Sequence, residues 1–189
     1  MKRIVLTGGP GAGKTVISDR LVARHPGLYV LVPEAATQVY AALRTRWDRL
    51  DLPGRRDVQR RIYRLQVEQE ERLARAHPGA TLLLDRGTID GAAYWPEGPE
   101  AYWQDLGTTA AAELARYHGI VWLETAAALG LYDSDASNPC RFEDAEAAIA
   151  SGRFIHELWS QHPRIVQVPA YERVEDKMAA VERALEGLG

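Results

Sequence analysis

The chemistry most directly readable in this chain lies in eight consecutive residues, Gly8-Gly9-Pro10-Gly11-Ala12-Gly13-Lys14-Thr15. They fit G-x-x-x-x-G-K-[ST], the spacing of a phosphate-binding loop. In such a loop successive backbone N–H groups converge on phosphate oxygens, and the following helix adds its positive dipole end. Glycine is required because a Cβ would keep the backbone from closing around the phosphates. Lys14 can reach the β- and γ-phosphates as a point charge, and Thr15 can offer its hydroxyl to Mg²⁺. Gly9, Pro10, Gly11, Ala12, Gly13, Lys14, Thr15 and Val16 are therefore the expected nucleotide-binding residues. The bland alternative is a Gly-rich turn. Against it, an apolar run (Ile4-Val5-Leu6) precedes the motif and a helical pattern (Val16, Ile17, Leu21, Val22) follows it.

Further candidates sit where other apolar runs end. Asp85 follows four residues ending in Leu82-Leu83-Leu84, the position of an acid that binds Mg²⁺ directly or through water; the alternative is a helix N-cap. The next residue is Arg86, where many hydrolysing ATPases carry a second acid. An arginine suits transfer to a bound acceptor, because its planar fork can clamp phosphate or acceptor; a surface ion pair is the alternative. Glu34, after Val32-Pro33, is the candidate general base for an acceptor hydroxyl, or else an acid at a helix start. Glu124 reads better as a solvated loop residue. Arg141 closes a polar stretch and can bring charge to the transferring phosphoryl group, or can pair with Glu143 or Asp144. Tyr94, Trp95, Tyr102 and Trp103 can wall a planar acceptor or simply pack. Of these, Glu34, Arg86, Tyr94 and Trp95 are the expected acceptor contacts; Lys14, Glu34, Asp85 and Arg141 the catalytic set; Thr15 and Asp85 the metal ligands. His156 reads as structural and Cys140 as an incidental thiol.

The elements that must position these residues follow from the pattern of apolar runs. Five short runs, 4–7, 28–32, 81–84, 120–123 and 165–168, alternate with helical segments, which predicts an α/β three-layer sandwich with a parallel sheet covered on both faces. In such a sheet ligands bind beyond the carboxyl ends of the strands, where the candidates lie. The spacing predicts a long helix over about 55–76, with Val58, Ile62, Leu65, Leu73 and Ala76 on one apolar stripe, preceded by Pro53-Gly54 and ended by His77-Pro78-Gly79. A late helix is expected over about 143–159. The polar stretch at 132–142 is the expected lid.

The 189 residues suit one domain, 1–189, and 46% apolar with 26% charged content is ordinary for a soluble globular protein. The net charge of −3 gives no overall nucleic-acid footprint. One cysteine forms no intrachain disulfide and fits a reducing compartment. No run has the length of a membrane span, and the first residues lead straight into a strand rather than a leader. A cytoplasmic protein without membrane or nucleic-acid partners, monomer or homodimer, is expected.

With Glu34, Asp85-Arg86-Gly87 and Arg141 joined to the loop, the chain resembles the P-loop kinase group. Within it, the resemblance is to the AAA/ATP-binding domain of NadR-type nicotinamide riboside kinases and many small bacterial ATP-binding proteins. The similarity covers nearly the whole chain: Val32 to Ala36, Gln66 to Glu70, Asp85 to Gly91, Asp135 with Arg141, Ile155 to Leu158, and Val168-Pro169. It implies strand order 2-3-1-4-5, ATP with Mg²⁺, and an Arg-bearing helical lid. Asp135 and Arg141 stand farther apart here than in that group, and no nucleotidylyltransferase segment accompanies them. The function expected is a kinase moving the ATP γ-phosphate to a hydroxyl of a small, nucleoside-like metabolite. A nucleotide-binding regulatory module using ATP or GTP, or a plain NTPase, is the alternative. The absence of Asn-Lys-x-Asp argues against a GTPase switch, and Arg86 argues against a hydrolase.

Overall fold

In the computed structural model, residues 1–131 and 144–189 are described. Among the described residues there are five strands: β1 (Arg3–Thr7), β2 (Tyr29–Val32), β3 (Thr81–Asp85), β4 (Gly119–Leu123) and β5 (Ile165–Val168). They form one sheet in the order β2-β3-β1-β4-β5, with every neighbouring pair parallel. This is the predicted order. The register places Leu6 opposite Asp85 on one side and Val121 on the other, so β1 lies at the centre with the candidate acid beside its end.

Alternation along each strand sends successive side chains to opposite faces. Ile4 and Leu6 of β1 and Leu83 of β3 belong to one core, with Ile17, Leu21, Val181 and Leu185. Val5, Leu82 and Leu84 belong to the other, with Ile89, Trp103, Tyr117, Ile155 and Trp159. Both faces are dry, which is why these strands read as unbroken apolar runs. The first core is closed by α1 (Lys14–Arg24) and α7 (Val174–Leu188); residues of α4 (Pro99–Leu106), α5 (Ala110–Leu114) and α6 (Ala145–Trp159) join the second.

The long helix α3 spans Leu52–Ala76 and begins three residues before the expected start. Asp51 caps it, its carboxylate accepting from Gly54 N at 2.9 Å. Pro53 thus lies within the first turn, where its missing N–H costs nothing. The expected apolar stripe is corrected more deeply: the buried positions of α3 are Val58, Gln59, Gln66, Gln69 and Glu70, while Ile62 and Leu65 are only half-buried. Polar groups occupy the inner face because it looks onto a cavity and a buried ion pair, not onto aliphatic core. Glu70, fully buried, accepts from Arg116 Nη2 at 2.7 Å and from Tyr117 Oη at 3.1 Å.

The strand-to-helix connections carry elements that periodicity did not show. After β3 a 3-10 helix runs Thr88–Tyr94, and a short one, Trp47–Arg49, follows α2 (Ala35–Leu43). Helix α6 starts at Ala145 with Asp144 as its cap, Oδ1 accepting from Ala147 N at 2.8 Å. The expected lid at 132–142, with Arg141, lies outside the described residues. Among the described residues no helix is long and apolar enough to cross a membrane.

Candidate functional site

The turn from β1 into α1 is built by backbone constraint. Gly13 caps α1 with φ 80°, a left-handed conformation that a Cβ disfavours. Gly8 and Gly9 are fixed by close approach. A Cβ on Gly8 would stand 2.1 Å from Leu123 O, and one on Gly9 2.6 Å from Ala148 O and 3.0 Å from Gly152 Cα of α6. The loop is braced from the β4 side as well, Thr125 Oγ1 donating to Pro10 O at 2.6 Å. Lys14, buried at 4% exposure, donates from Nζ to Gly8 O and Gly9 O at 2.9 and 3.0 Å. Its ammonium therefore sits against the loop's own carbonyls. Ala12 is buried, and Val16 is exposed on the first turn of α1.

Beside the loop stands Asp85, the last residue of β3. Its Oδ2 accepts from Thr15 Oγ1 at 2.6 Å, and its Oδ1 is buried with no hydrogen-bond partner. It caps no helix. Burial, and after it the charge of Glu34, push its pKa up; Lys14, Thr15 and Arg86 act the other way. An orphaned carboxylate oxygen beside a threonine hydroxyl is a hard, all-oxygen donor set, which fits Mg²⁺ in a site where phosphates and water supply the remaining positions. Among the described residues no cluster of three or more His, Cys, Asp or Glu offers a competing all-protein metal site.

Arg86 and Glu34 meet across the same opening. Arg86 holds a positive-φ backbone (φ 72°), uncommon for a residue with a Cβ. Its Nε donates to Glu34 Oε1 at 2.7 Å and its Nη1 to Asp90 Oδ1 at 2.8 Å. Glu34 starts α2 without a side-chain capping bond; its Oε2 instead accepts from Thr37 Oγ1 at 2.6 Å. Burial works to raise the Glu34 pKa, but the charges of Arg86 and Lys14 and the Thr37 and Arg86 hydrogen bonds hold it below the ordinary carboxylate value. The ion pair anticipated as Arg86's alternative role thus exists, but it is internal and aimed at the site.

The residue that organises this pair was missed in the sequence. Asp90 is 3% exposed and makes four bonds. Oδ1 accepts from Arg86 and from Thr7 Oγ1 (2.6 Å), and Oδ2 from Gly87 N (3.1 Å) and Trp159 Nε1 (3.0 Å). It ties the end of β1, the start of the 3-10 helix and the end of α6 to the guanidinium. The available signal was its place four residues after Arg86 in a run that otherwise reads as small and apolar.

A cavity opens from this cluster between α2, α3 and the 3-10 helix at 88–94. Pro10 of the loop, Glu34, Arg86 and Asp90 line one part of it, and Trp47, Gln59, Tyr63 and Tyr94 line more of its wall. Tyr94 is one of the two expected aromatic contacts on the cavity. The other, Trp95, is 5% exposed, packs on Tyr102 at 5.4 Å between ring centroids, and does not line the cavity. The partner of Tyr94 is instead Trp47, at 6.3 Å and 72° between ring planes. Glu124 faces away, its Oε2 accepting from Ala170 N. His156 contacts Trp122 and Gln167 Nε2 on α6's outer side.

A central strand feeding a glycine loop into a helix, with an acid at the neighbouring strand end and the order 2-3-1-4-5, defines a P-loop nucleotide-binding domain of the kinase-like arrangement. The chain belongs to the AAA domain family whose model matches residues 3–177. No curated protein sequence matches it. Among solved structures it is similar to a NadR protein in complex with NAD and AMP-PNP, at a TM-score of 0.65 and 15% identity over 99% of this chain and 49% of that one. The chain thus spans about half the length of that NadR protein. It is also similar to thymidylate kinase from Candida albicans, at a TM-score of 0.68 and 13% identity over 98% and 91%.

Proposed function

We propose that this protein is an ATP-dependent kinase that phosphorylates a hydroxyl of a small, nucleoside-like metabolite. One observation carries the reading: one cavity is lined together by Pro10 of the phosphate loop, by the Arg86–Glu34 pair, and by aromatic and amide side chains. A hydrolase needs only room for water beside the γ-phosphate; a cavity with this lining suits an organic acceptor.

In the proposed reaction residues 9–16 hold the ATP phosphates through their backbone N–H groups, Pro10 excepted, and through the Lys14 ammonium. The acceptor oxygen forms a bond to the γ-phosphorus as the bond to the β–γ bridging oxygen breaks, and ADP leaves with that electron pair. The acceptor proton passes to a carboxylate, and Glu34, which lines the cavity, is the candidate for it. A pKa held below the ordinary carboxylate value makes Glu34 a weak base. That suffices, because a loose phosphoryl-transfer transition state demands positioning and charge stabilisation more than a strong base. Arg86 orients the acceptor and Glu34 together. Mg²⁺, held by Thr15 and Asp85, would supply charge neutralisation on the β- and γ-oxygens. The closed, water-excluding state would be completed by Arg141. The reading places the protein among soluble cytoplasmic enzymes.

The test is a metabolite-library screen for acceptor-dependent ADP formation. ATP alone should turn over slowly and the correct acceptor should raise the rate by orders of magnitude. Fast hydrolysis that ignores acceptors and is abolished by Asp85→Asn would replace the kinase by an ATPase. The NadR and thymidylate kinase likenesses support the kinase reading at the level of fold.

A further inference from the structure

Gly9-Pro10-Gly11-Ala12 of the phosphate loop forms a β-turn, closed by Ala12 N donating to Gly9 O at 3.3 Å. Its first central residue is Pro10, whose ring holds φ at about −65°. Its second is Gly11, at φ 72°. A negative φ followed by a positive one makes this a type II turn. The type I turn on the same four residues differs by a flip of the peptide between Pro10 and Gly11, and glycine, lacking a Cβ, accepts either form. That one peptide therefore has two orientations open to it.

The orientation decides what a phosphate meets. Pro10 has no N–H, so the first amide donor after Gly9 is that of Gly11. In a planar trans peptide C=O and N–H point in opposite directions. A flip would therefore exchange the Gly11 N–H for the Pro10 carbonyl, whose partial negative charge repels phosphate. Thr125, two residues past the end of β4, holds this peptide. Its Oγ1 donates to Pro10 O at 2.6 Å, and the following amide, Ala126 N, donates to Gly11 O at 3.3 Å. Thr125 is 4% exposed, so water competes little for its bond. The Pro10 carbonyl is thus drawn to the β4 side, and the Gly11 N–H is turned away from it, donating to no described residue. In the sheet β1 separates β4 from β3, and the metal-binding pair Thr15 and Asp85 meets at the end of β3. The Thr125 hydroxyl also accepts from Ala127 N at 3.3 Å, capping the 3-10 helix Ala126–Leu129.

We infer that Thr125 is a positioning residue for the nucleotide: by holding the Pro10–Gly11 peptide in its type II orientation, it presents the Gly11 N–H to the phosphates of ATP. This rests on the ATP-binding part of the kinase reading and involves no acceptor.

The experiment titrates the whole protein by calorimetry with Mg²⁺·ATP and, separately, with inorganic tripolyphosphate, which carries phosphates without a nucleoside. Thr125→Val keeps the shape and removes the hydroxyl. It should weaken both ligands by the same factor, about tenfold, the value of one hydrogen bond. Thr125→Ser keeps the hydroxyl and should bind both as the wild type does. A Thr125→Val variant that melts lower but keeps both affinities would reduce Thr125 to a helix cap and overturn the inference. Weaker ATP with unchanged tripolyphosphate overturns it as well, because Thr125 would then act at the nucleoside. So does a Thr125→Ser variant as weak as Thr125→Val. Gly11→Ala disfavours φ 72°, and adding Thr125→Val to it should cost less than the sum of the two single losses, since both act on one peptide; additive losses overturn the inference. A further readout needs no variant to fold. In a proton–nitrogen correlation spectrum of the wild type, the Gly11 amide proton should move downfield on adding tripolyphosphate, and an unmoved resonance overturns the inference. All of these outcomes leave the kinase reading standing. A wild type that binds neither ligand overturns both.

Discussion

The phosphate loop and the acceptor cavity beside it are held in place by different physics. At the phosphate end the geometry is backbone geometry: glycines at 8 and 9 packed against other main-chain atoms, a left-handed Gly13, and a loop carbonyl tied to Thr125. At the acceptor end it is side-chain geometry: Arg86 between Glu34 and Asp90, and Asp90 between β1 and α6. A backbone cradle binds what every nucleoside triphosphate shares. A side-chain cluster can be re-specified residue by residue while the sheet and loop stay the same. The difference explains how one fold serves many acceptors with a single phosphate donor site.

The comparison breaks most visibly at Lys14. Removing its charge by Lys14→Ala should cut phosphoryl transfer by roughly 10²-fold or more, whichever acceptor is used. Steady-state kinetics with calorimetry of ATP binding measures it; unchanged turnover and unchanged affinity together would refute a phosphate role for the loop. Glu34→Gln should act on the other end alone. Turnover should fall by up to about 10²-fold while ATP affinity is kept. Arg86→Lys, which keeps charge and loses the fork, should raise the acceptor KM more than it weakens ATP. Equal loss of ATP binding in either variant would erase the distinction between the ends.

Stability sharpens it further, because the carboxylates of Glu34 and Asp85 shift in opposite directions. The Glu34 pKa is lowered, so its stabilisation is present above its ordinary 4.5 and is lost as pH falls through the depressed value. The Asp85 pKa is raised, so the fold loses stability as pH rises from its ordinary 3.8 through the raised value, and the penalty persists above it. At neutral pH without ligand, Asp85→Asn should therefore raise the melting temperature and Glu34→Gln should lower it, by roughly 2–4 °C for each kcal/mol. Calorimetry of the two variants decides it; the same sign for both would mean that the charge balance has been misread. Asp85→Asn should gain its stability at the expense of magnesium-dependent ATP binding, a trade expected where a site is strained for function.

The smallest expected effect lies outside both ends. Lys177, at the start of α7, donates to Glu124 O at 2.5 Å, and burial pulls its pKa down to about 8. Between about 8 and its ordinary 10.5 the unfolded chain holds the proton and the folded one does not, so stability rises with pH across that window. Lys177→Met should flatten the rise in melting temperature between pH 8 and 10 and leave turnover near wild type. A wild-type melting temperature that falls steadily across that window would show that Lys177 stays charged.

How much of this was legible follows the same division. The phosphate loop could be read because backbone requirements restrict residue type: only glycine fits, and the motif spells it out. The five strands could be read because a sheet buried on both faces leaves unbroken apolar runs. The acceptor end was legible only in pieces. Glu34, Arg86 and Tyr94 stood beside strand ends, but Asp90 acts through partners that the fold supplies from elsewhere in the chain. The inner face of α3 was misread for the same reason: a helix facing a cavity and a buried ion pair keeps polar residues inside, against the periodicity rule. Trp95 looked interchangeable with Tyr94, yet one residue's rotation about a 3-10 helix end sends it into the core instead.

The contact between Gly152 and Gly9 has a consequence for precision. Helix α6 touches the phosphate loop through backbone at Gly9, reaches the acceptor wall where Ser151 meets Tyr94 at 3.4 Å, and holds Asp90 through Trp159. Donor and acceptor sides are thus measured from one rod. A shift of α6 along the sheet carries both sides in the same direction, so their mutual distance changes less than either position does. Alignment to a fraction of an ångström becomes a property of one helix's stiffness rather than of two independently placed halves.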